Sequence, residues 1–178
     1  MAIAPGTYTL GPDTGELLVH TRRQGAAAKA GHDLEMVVTQ WSARLEIGEA
    51  SSLSLSADSS SFQVREGRGG MKALGEDDKA NIGQTIDDEV LKRTAIEFRS
   101  TAVEGTADGD HLRVYGELEL MGRTHPVEFD LELRGDELTG RAAVKQTDFG
   151  MKPYSALFGA LKVADEVVIT VAARLQSR

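Results

Sequence analysis

The chain contains no cysteine, which excludes disulfides, thiolate metal sites and cysteine nucleophiles. Aromatic residues make up only 5% of it, so any interior must be lined mainly by Leu, Val, Ile and Ala. No stretch approaches the roughly 18 apolar residues of a membrane-spanning helix, and the opening MAIAPGTYTLG has neither a basic n-region nor an apolar h-region. No membrane span is expected, and read as a complete chain the protein is expected in the cytoplasm. Basic residues are in deficit, 20 Lys and Arg against 28 Asp and Glu, for a net charge of -8. That balance argues against binding to a phosphate backbone, and nucleic acid is not an expected partner.

What the sequence does have is alternation. In His111 to Leu133, Leu112, Val114, Leu118 and Leu120 alternate with Arg113, Tyr115, Glu117 and Glu119, and then Val127, Phe129, Leu131 and Leu133 alternate with Glu128, Asp130 and Glu132. A period of two predicts two strands, each with one apolar and one solvated face. Gly122 supplies the positive φ of a tight reversal, and Pro126 falls near a strand start. Further strands are predicted at residues 5–10, 16–23, 32–47, 53–57, 94–103, 138–147 and 165–175. The 32–47 run is apolar on both faces, which predicts a bend or bulge near Val37 to Thr39. Glu76 to Leu91 is the helical segment, with an acidic opening and Ile82, Ile86 and Val90 four residues apart, and Gly83 is expected to weaken or divide it. Residues 148–162 read as an apolar crossing loop.

With 178 residues, 40% of them hydrophobic, a single domain over residues 1–178 can bury a real core. The strand count predicts an all-β fold, a closed antiparallel β-barrel of about eight strands with one helix inserted between the fourth and fifth strands, because closure removes unpaired edges. A two-sheet sandwich is the competing architecture. The inward positions expected to line the barrel are Leu55, Ala57, Phe98, Ala102, Val114, Gly116, Leu118, Phe129, Leu131, Ala142, Val144, Ile169 and Val171. Many are small, as are Ser100, Gly140 and Ala173, so the lumen is expected to hold a void that a foreign molecule fills. The alternative is that Trp41, Phe98, Phe129, Phe149 and Phe158 fill it.

Other motifs weigh less. Gly67-Arg68-Gly69-Gly70-Met71-Lys72 lacks the order of a phosphate-binding loop. Within the glycine-rich Gln63 to Gly75 segment, Arg65, Arg68 and Lys72 could meet a ligand's phosphate or carboxylate head, or be solvated charges. His20, His32, His111 and His125 lie far apart without ligand spacing, so no metal is expected, nor any cofactor. Asp87-Asp88-Glu89 reads as a solvated helix face, and no Gly-x-Ser-x-Gly is present. Asp148 is expected to cap a turn while Phe149 packs under the barrel end.

Four stretches then carry a likeness: Leu118 to Val127 (LELMGRTHPV), Thr147 to Met151 (TDFGM), Asp165 to Ile169 (DEVVI) and Ile96 to Ser100 (IEFRS). In this order, and across essentially the whole chain, they resemble the YceI-like domain family. The chain departs from that pattern at Thr94 and Ala95, where Pro is common, at Thr147, where Arg is usual, and at Gly31-His32-Asp33-Leu34. The resemblance implies a lipocalin-like barrel whose lumen holds a long isoprenoid or acyl chain. The function so implied is non-enzymatic binding, carriage or storage of such a lipid, with the lipid as partner and a homodimer kept open as the assembly. A hydrolase or isomerase acting in the same cavity through His32 and Asp33 is the alternative, and an interaction module with a filled core is the third reading.

Overall fold

In a computed structural model of the chain, described for residues 3–26, 28–70, 73–105, 110–156 and 161–175, fourteen strands and one α-helix form. In chain order the strands are β1 (Gly6–Leu10), β2 (Gly15–Thr21), β3 (Arg23–Gln24), β4 (Asp33–Val38), β5 (Trp41–Ile47), β6 (Ser52–Ala57) and β7 (Phe62–Arg68). Helix α1 (Glu76–Thr85) follows and widens into a π-helical turn, Ile86–Val90. The remaining strands are β8 (Ile96–Gly105), β9 (His111–Leu120), β10 (Arg123–Arg134), β11 (Glu137–Lys145), β12 (Ser155–Ala156), β13 (Leu161–Val163) and β14 (Glu166–Arg174).

Eleven strands form one antiparallel sheet in the order β1-β5-β6-β8-β9-β10-β11-β14-β2-β4-β7, and β12-β13-β3 make a small second sheet. The expected closed barrel of about eight strands is therefore corrected to an open, curled sheet of eleven, with the helix after the seventh strand. The miscount has a physical origin at Thr39 and Gln40. There the predicted 32–47 strand breaks into β4 and β5, and the side-chain parity changes: Met36 and Val38 face the core in β4, Trp41, Ala43 and Leu45 in β5. The expected bend thus becomes a strand break. Opposite it, Asp58 to Ser61 break the partner strand into β6 and β7, and the two breaks are joined by Thr39 N to Ser61 O at 2.9 Å and Asp58 N to Gln40 O at 3.0 Å. One bent hairpin therefore contributes ladders to distant places in the strand order, and the sheet must curl.

The other turns follow from local chemistry. Met121 (φ 55°) and Gly122 (φ 72°) both take positive φ in the two-residue link of the β9–β10 hairpin, the reversal whose twist matches the flanking strands. Helix α1 starts where Asp78 accepts the Gly75 N–H at 3.0 Å. It runs unbroken through Gly83, whose missing side chain lets the helix lie against Phe62: a Cβ there would stand 3.0 Å from the Phe62 carbonyl oxygen. The helix covers the β7 edge, which would otherwise present unpaired backbone groups. Its acidic end is not merely solvated. Asp87 accepts from Ser59 Oγ at 2.8 Å, and Asp88 from Gln84 at 2.6 Å and from Arg93 at 2.6 Å. The predicted crossing loop contains the β12–β13 hairpin.

Between the curled faces the interior is solid at one end. Tyr8, Leu45, Leu112 and Val114 are buried there, with Leu45 and Val114 fully excluded from solvent. Leu45→Ala is expected to lower stability by about 2–5 kcal/mol, the usual cost of a buried Leu truncation, measured as a shift in the urea midpoint without a change in slope.

Candidate functional site

Beyond that solid end the interior opens into a cavity of about 530 Å³, within the roughly 300–1,000 Å³ range of small-molecule sites. Its wall is built by period two. Leu17 and Val19 of β2, Leu34, Met36 and Val38 of β4, Leu55 and Ala57 of β6, Ile96 and Phe98 of β8, and Val167, Ile169 and Val171 of β14 all point inward. The roof is helical: Ile82, Ile86 and Val90 come from α1 and its π-helical turn.

Of the positions expected to line the lumen, Leu55, Ala57, Phe98, Leu118, Phe129, Leu131, Ala142, Val144, Ile169 and Val171 do so. Ala102, Val114 and Gly116 are not on the wall, each for a separate reason. The β8–β9 register slips between Ser100 and Ala102, so Ala102 pairs with outward-facing Tyr115, and Val103 takes the inward place opposite Val114. Val114 lies in the solid end. Gly116 is small because the Phe98 ring lies across it: a Cβ there would stand 2.5 Å from Phe98 Cζ and 2.4 Å from Arg99 O. Gly140 likewise makes room for Leu131. Small inward residues thus seat a neighbour at some positions and leave space at others. Phe98 and Phe129, with ring centroids 5.4 Å apart, form part of the wall and do not fill the cavity. Phe158 lies outside the described residues.

The expected head-group cations are not on the wall either. Arg65 donates to Glu16 at 2.6 Å and Arg68 to Glu66 at 3.3 Å, both pairs well exposed, and neither arginine lines the cavity. Lys72 lies outside the described residues. The mouth is instead marked by Arg23, His32, Asn81 and Tyr154, with Asn81 and Tyr154 both lining the cavity and reaching solvent. Arg23 donates from Nη1 to Gly31 O and to Arg68 O, each at 2.9 Å, while its backbone N–H donates to Asp33 Oδ1 at 2.9 Å. Gly69 (φ 80°) and Gly70 (φ 75°) fold directly over this pair, where a Cβ would strike the Arg23 guanidinium and the His32 ring. The sequence signal for these residues is weak, since a short polar stretch between two strands carries no period.

The remaining titratable groups are dispersed. His20 lies 3.2 Å from Thr170, His111 2.9 Å from Glu132 and His125 3.8 Å from Asp148, and among the described residues no three side chains are grouped as a metal would need. The turn at Thr147 to Phe149 is held by Asp165 and not by Asp148: Thr147 donates to Asp165 from its backbone at 2.8 Å and from its hydroxyl at 2.6 Å. Phe149 is buried beneath it, as expected. The Thr147 hydroxyl, first among several hydrogen bonds and charges, holds the Asp165 carboxyl below its ordinary range.

A curled antiparallel sheet around an apolar pocket is lipocalin-like in outline, though open where a lipocalin barrel closes. The YceI-like domain model matches residues 8–175, and the chain belongs to that family. No curated protein matches its sequence. Among solved structures it is similar to Burkholderia cenocepacia BcnA, with 19% identity, 89% of this chain and 94% of that chain covered, and a TM-score of 0.61. It is also similar to a Campylobacter jejuni YCEI protein, with 11% identity, 82% and 86% coverage and a TM-score of 0.57. Identities this low show the shared fold alone.

Carbon-detected NMR titration is expected to place the Asp165 midpoint below the ordinary carboxylate value of about 3.9. Thr147→Val should move it back toward that value. A depressed carboxyl favours the folded state above its unfolded midpoint, and that contribution disappears as pH falls through the folded one.

Proposed function

We propose that the protein binds a long apolar molecule, an isoprenoid or fatty-acyl lipid, in its cavity and carries or stores it without chemical change. The observation that carries this reading is the cavity wall: a space of about 530 Å³ enclosed mainly by Leu, Ile, Val, Ala, Met and Phe side chains. Water inside so apolar a wall finds few hydrogen-bond partners, and an empty void costs lost packing at about 24 cal/mol per Å³. A hydrocarbon chain removes that cost and gains about 0.8 kcal/mol per buried methylene. Membership in the YceI-like family supports the same reading.

Catalysis through His32 and Asp33 is the weaker reading. His32 faces the cavity, and the Asp33 carboxylate accepts the Arg23 backbone N–H at 2.9 Å, a contact that serves the local fold. On the binding reading Arg23 and His32, which line the cavity, are the nearest candidates for a polar head, while Arg65 and Arg68 pair with Glu16 and Glu66 outside it.

The test is extraction of the purified protein with organic solvent, mass spectrometry of the extract, and titration with a fluorescent long-chain fatty acid. A bound lipid, or saturable uptake at about one probe per chain, is expected. Ala142→Trp, placed on the wall away from the mouth, should reduce uptake about tenfold or more with an unchanged far-UV spectrum, because the indole takes the volume the chain needs. Absence of both extracted lipid and probe uptake would refute the reading.

A further inference from the structure

Parts of three segments frame the cavity mouth: residues 22–26 with 28–32, 67–70 with 73–75, and 149–156 with 161–164. They are tied together by the Arg23 Nη1 bond to Arg68 O, by pairing of Val163 with Arg23, and by Ala164 N donating to Arg22 O at 2.7 Å. Across the chain acids outnumber bases 28 to 20, yet these three segments contain no Asp or Glu. Arg22, Lys29 and Lys152 are exposed and form no ion pair among the described residues. Arg23 spends its Nη1 on carbonyls, not on a carboxylate.

Five acids that border the collar keep their charge but are each held in a local contact. Asp33 accepts from the Arg23 backbone, Asp78 from Gly75 N and Asp165 from Thr147, while Glu66 holds Arg68 and Glu76 lies 3.6 Å from Lys79. Tyr154, at 49% exposure, is the one large hydrophobic side chain so exposed among the described residues, and it stands on this collar at the mouth.

We propose that this basic collar docks on an anionic lipid bilayer, with the cavity mouth facing the membrane. A particle of net charge -8 is repelled by such a surface at long range, except where its own positive patch turns toward it. Cationic side chains near an anionic leaflet are attracted within a Debye length, and Tyr154 matches the preference of tyrosine for the membrane–water interface. The same contacts therefore supply both attraction and orientation. Docking stands on charge and placement alone; exchange of a lipid through the docked mouth rests on the binding function proposed above.

The test is flotation of the full chain with vesicles of phosphatidylcholine, alone or mixed with phosphatidylglycerol. Binding is expected only to the mixed vesicles, and only at low salt. The combined variant Arg22→Glu, Lys29→Glu, Lys152→Glu should bind about tenfold more weakly or worse. The combined variant Arg44→Glu, Arg134→Glu, Arg174→Glu changes net charge equally on exposed positions away from the collar, and should bind far better than the collar variant. Both should take up an uncharged long-chain probe, a fluorescent fatty-acid methyl ester, as the parent does, which separates loss of docking from loss of the cavity's function. Flotation with neutral vesicles, no flotation with either, or equal loss in the two variants would overturn the proposal. So would retention on duplex DNA as strong as on anionic vesicles. A parent protein that floats but takes up no probe leaves docking standing and defeats the cavity reading.

Discussion

The hydrogen bonds that cross from Thr39 and Gln40 to Ser61 and Asp58 decide how this sheet curls. A flat sheet of eleven strands would expose one wide apolar face. Here the β4–β7 ladder and the β5–β6 ladder are halves of a single bent hairpin although they lie far apart in the strand order. The hairpin draws the β2 side of the sheet toward the β8 side, and the apolar faces turn toward one another. Helix α1 then covers the β7 edge and roofs the interior, which it can approach because Gly83 presents no side chain to Phe62.

Curling alone does not make a hollow. At one end Leu45, Val114 and their neighbours meet and exclude solvent, as an ordinary core does. Toward the mouth the wall residues Ala57, Ala142 and Val144 are too short to reach across, and Phe98 is drawn aside onto Gly116. The difference between a solid floor and an open cavity thus rests on which way a few large side chains lean. Arg23, His32 and Asn81 line the cavity at its mouth, and Thr21, Thr85, Arg141 and Gln146 are the other polar side chains of an otherwise apolar wall. A molecule with a greasy tail and a polar end matches that order.

Much of this was legible in the sequence, because a half-buried strand must alternate. The central hairpin, the last strand and the single helix could be read from Leu112 to Leu133, Val167 to Leu175 and Ile82 to Val90. Features that break a period were harder to see. The slip at Thr101 moves Ala102 off the inward face without any marker in the sequence, and the parity change at Thr39 and Gln40 looked like a bend in one strand. Small residues suggest empty space, yet at Gly116 and Gly140 the space belongs to a neighbour on the adjacent strand. The mouth was the least legible part. Arg23, His32 and Tyr154 come from separate short segments that only tertiary structure brings together, whereas the conspicuous Arg65 and Arg68 are paired with Glu16 and Glu66 on the outside.

The central claim is that the interior is completed by a foreign hydrocarbon chain. Its most direct measurement is anomalous diffraction from crystals of the protein grown with a fatty acid brominated at its terminal carbon. The account predicts a bromine peak inside the cavity, among Phe129, Ala142 and Ile169, with the carboxyl end toward Arg23 and His32. Bromine found only on the outer surface, or a cavity closed by its own side chains in the crystal, would contradict it.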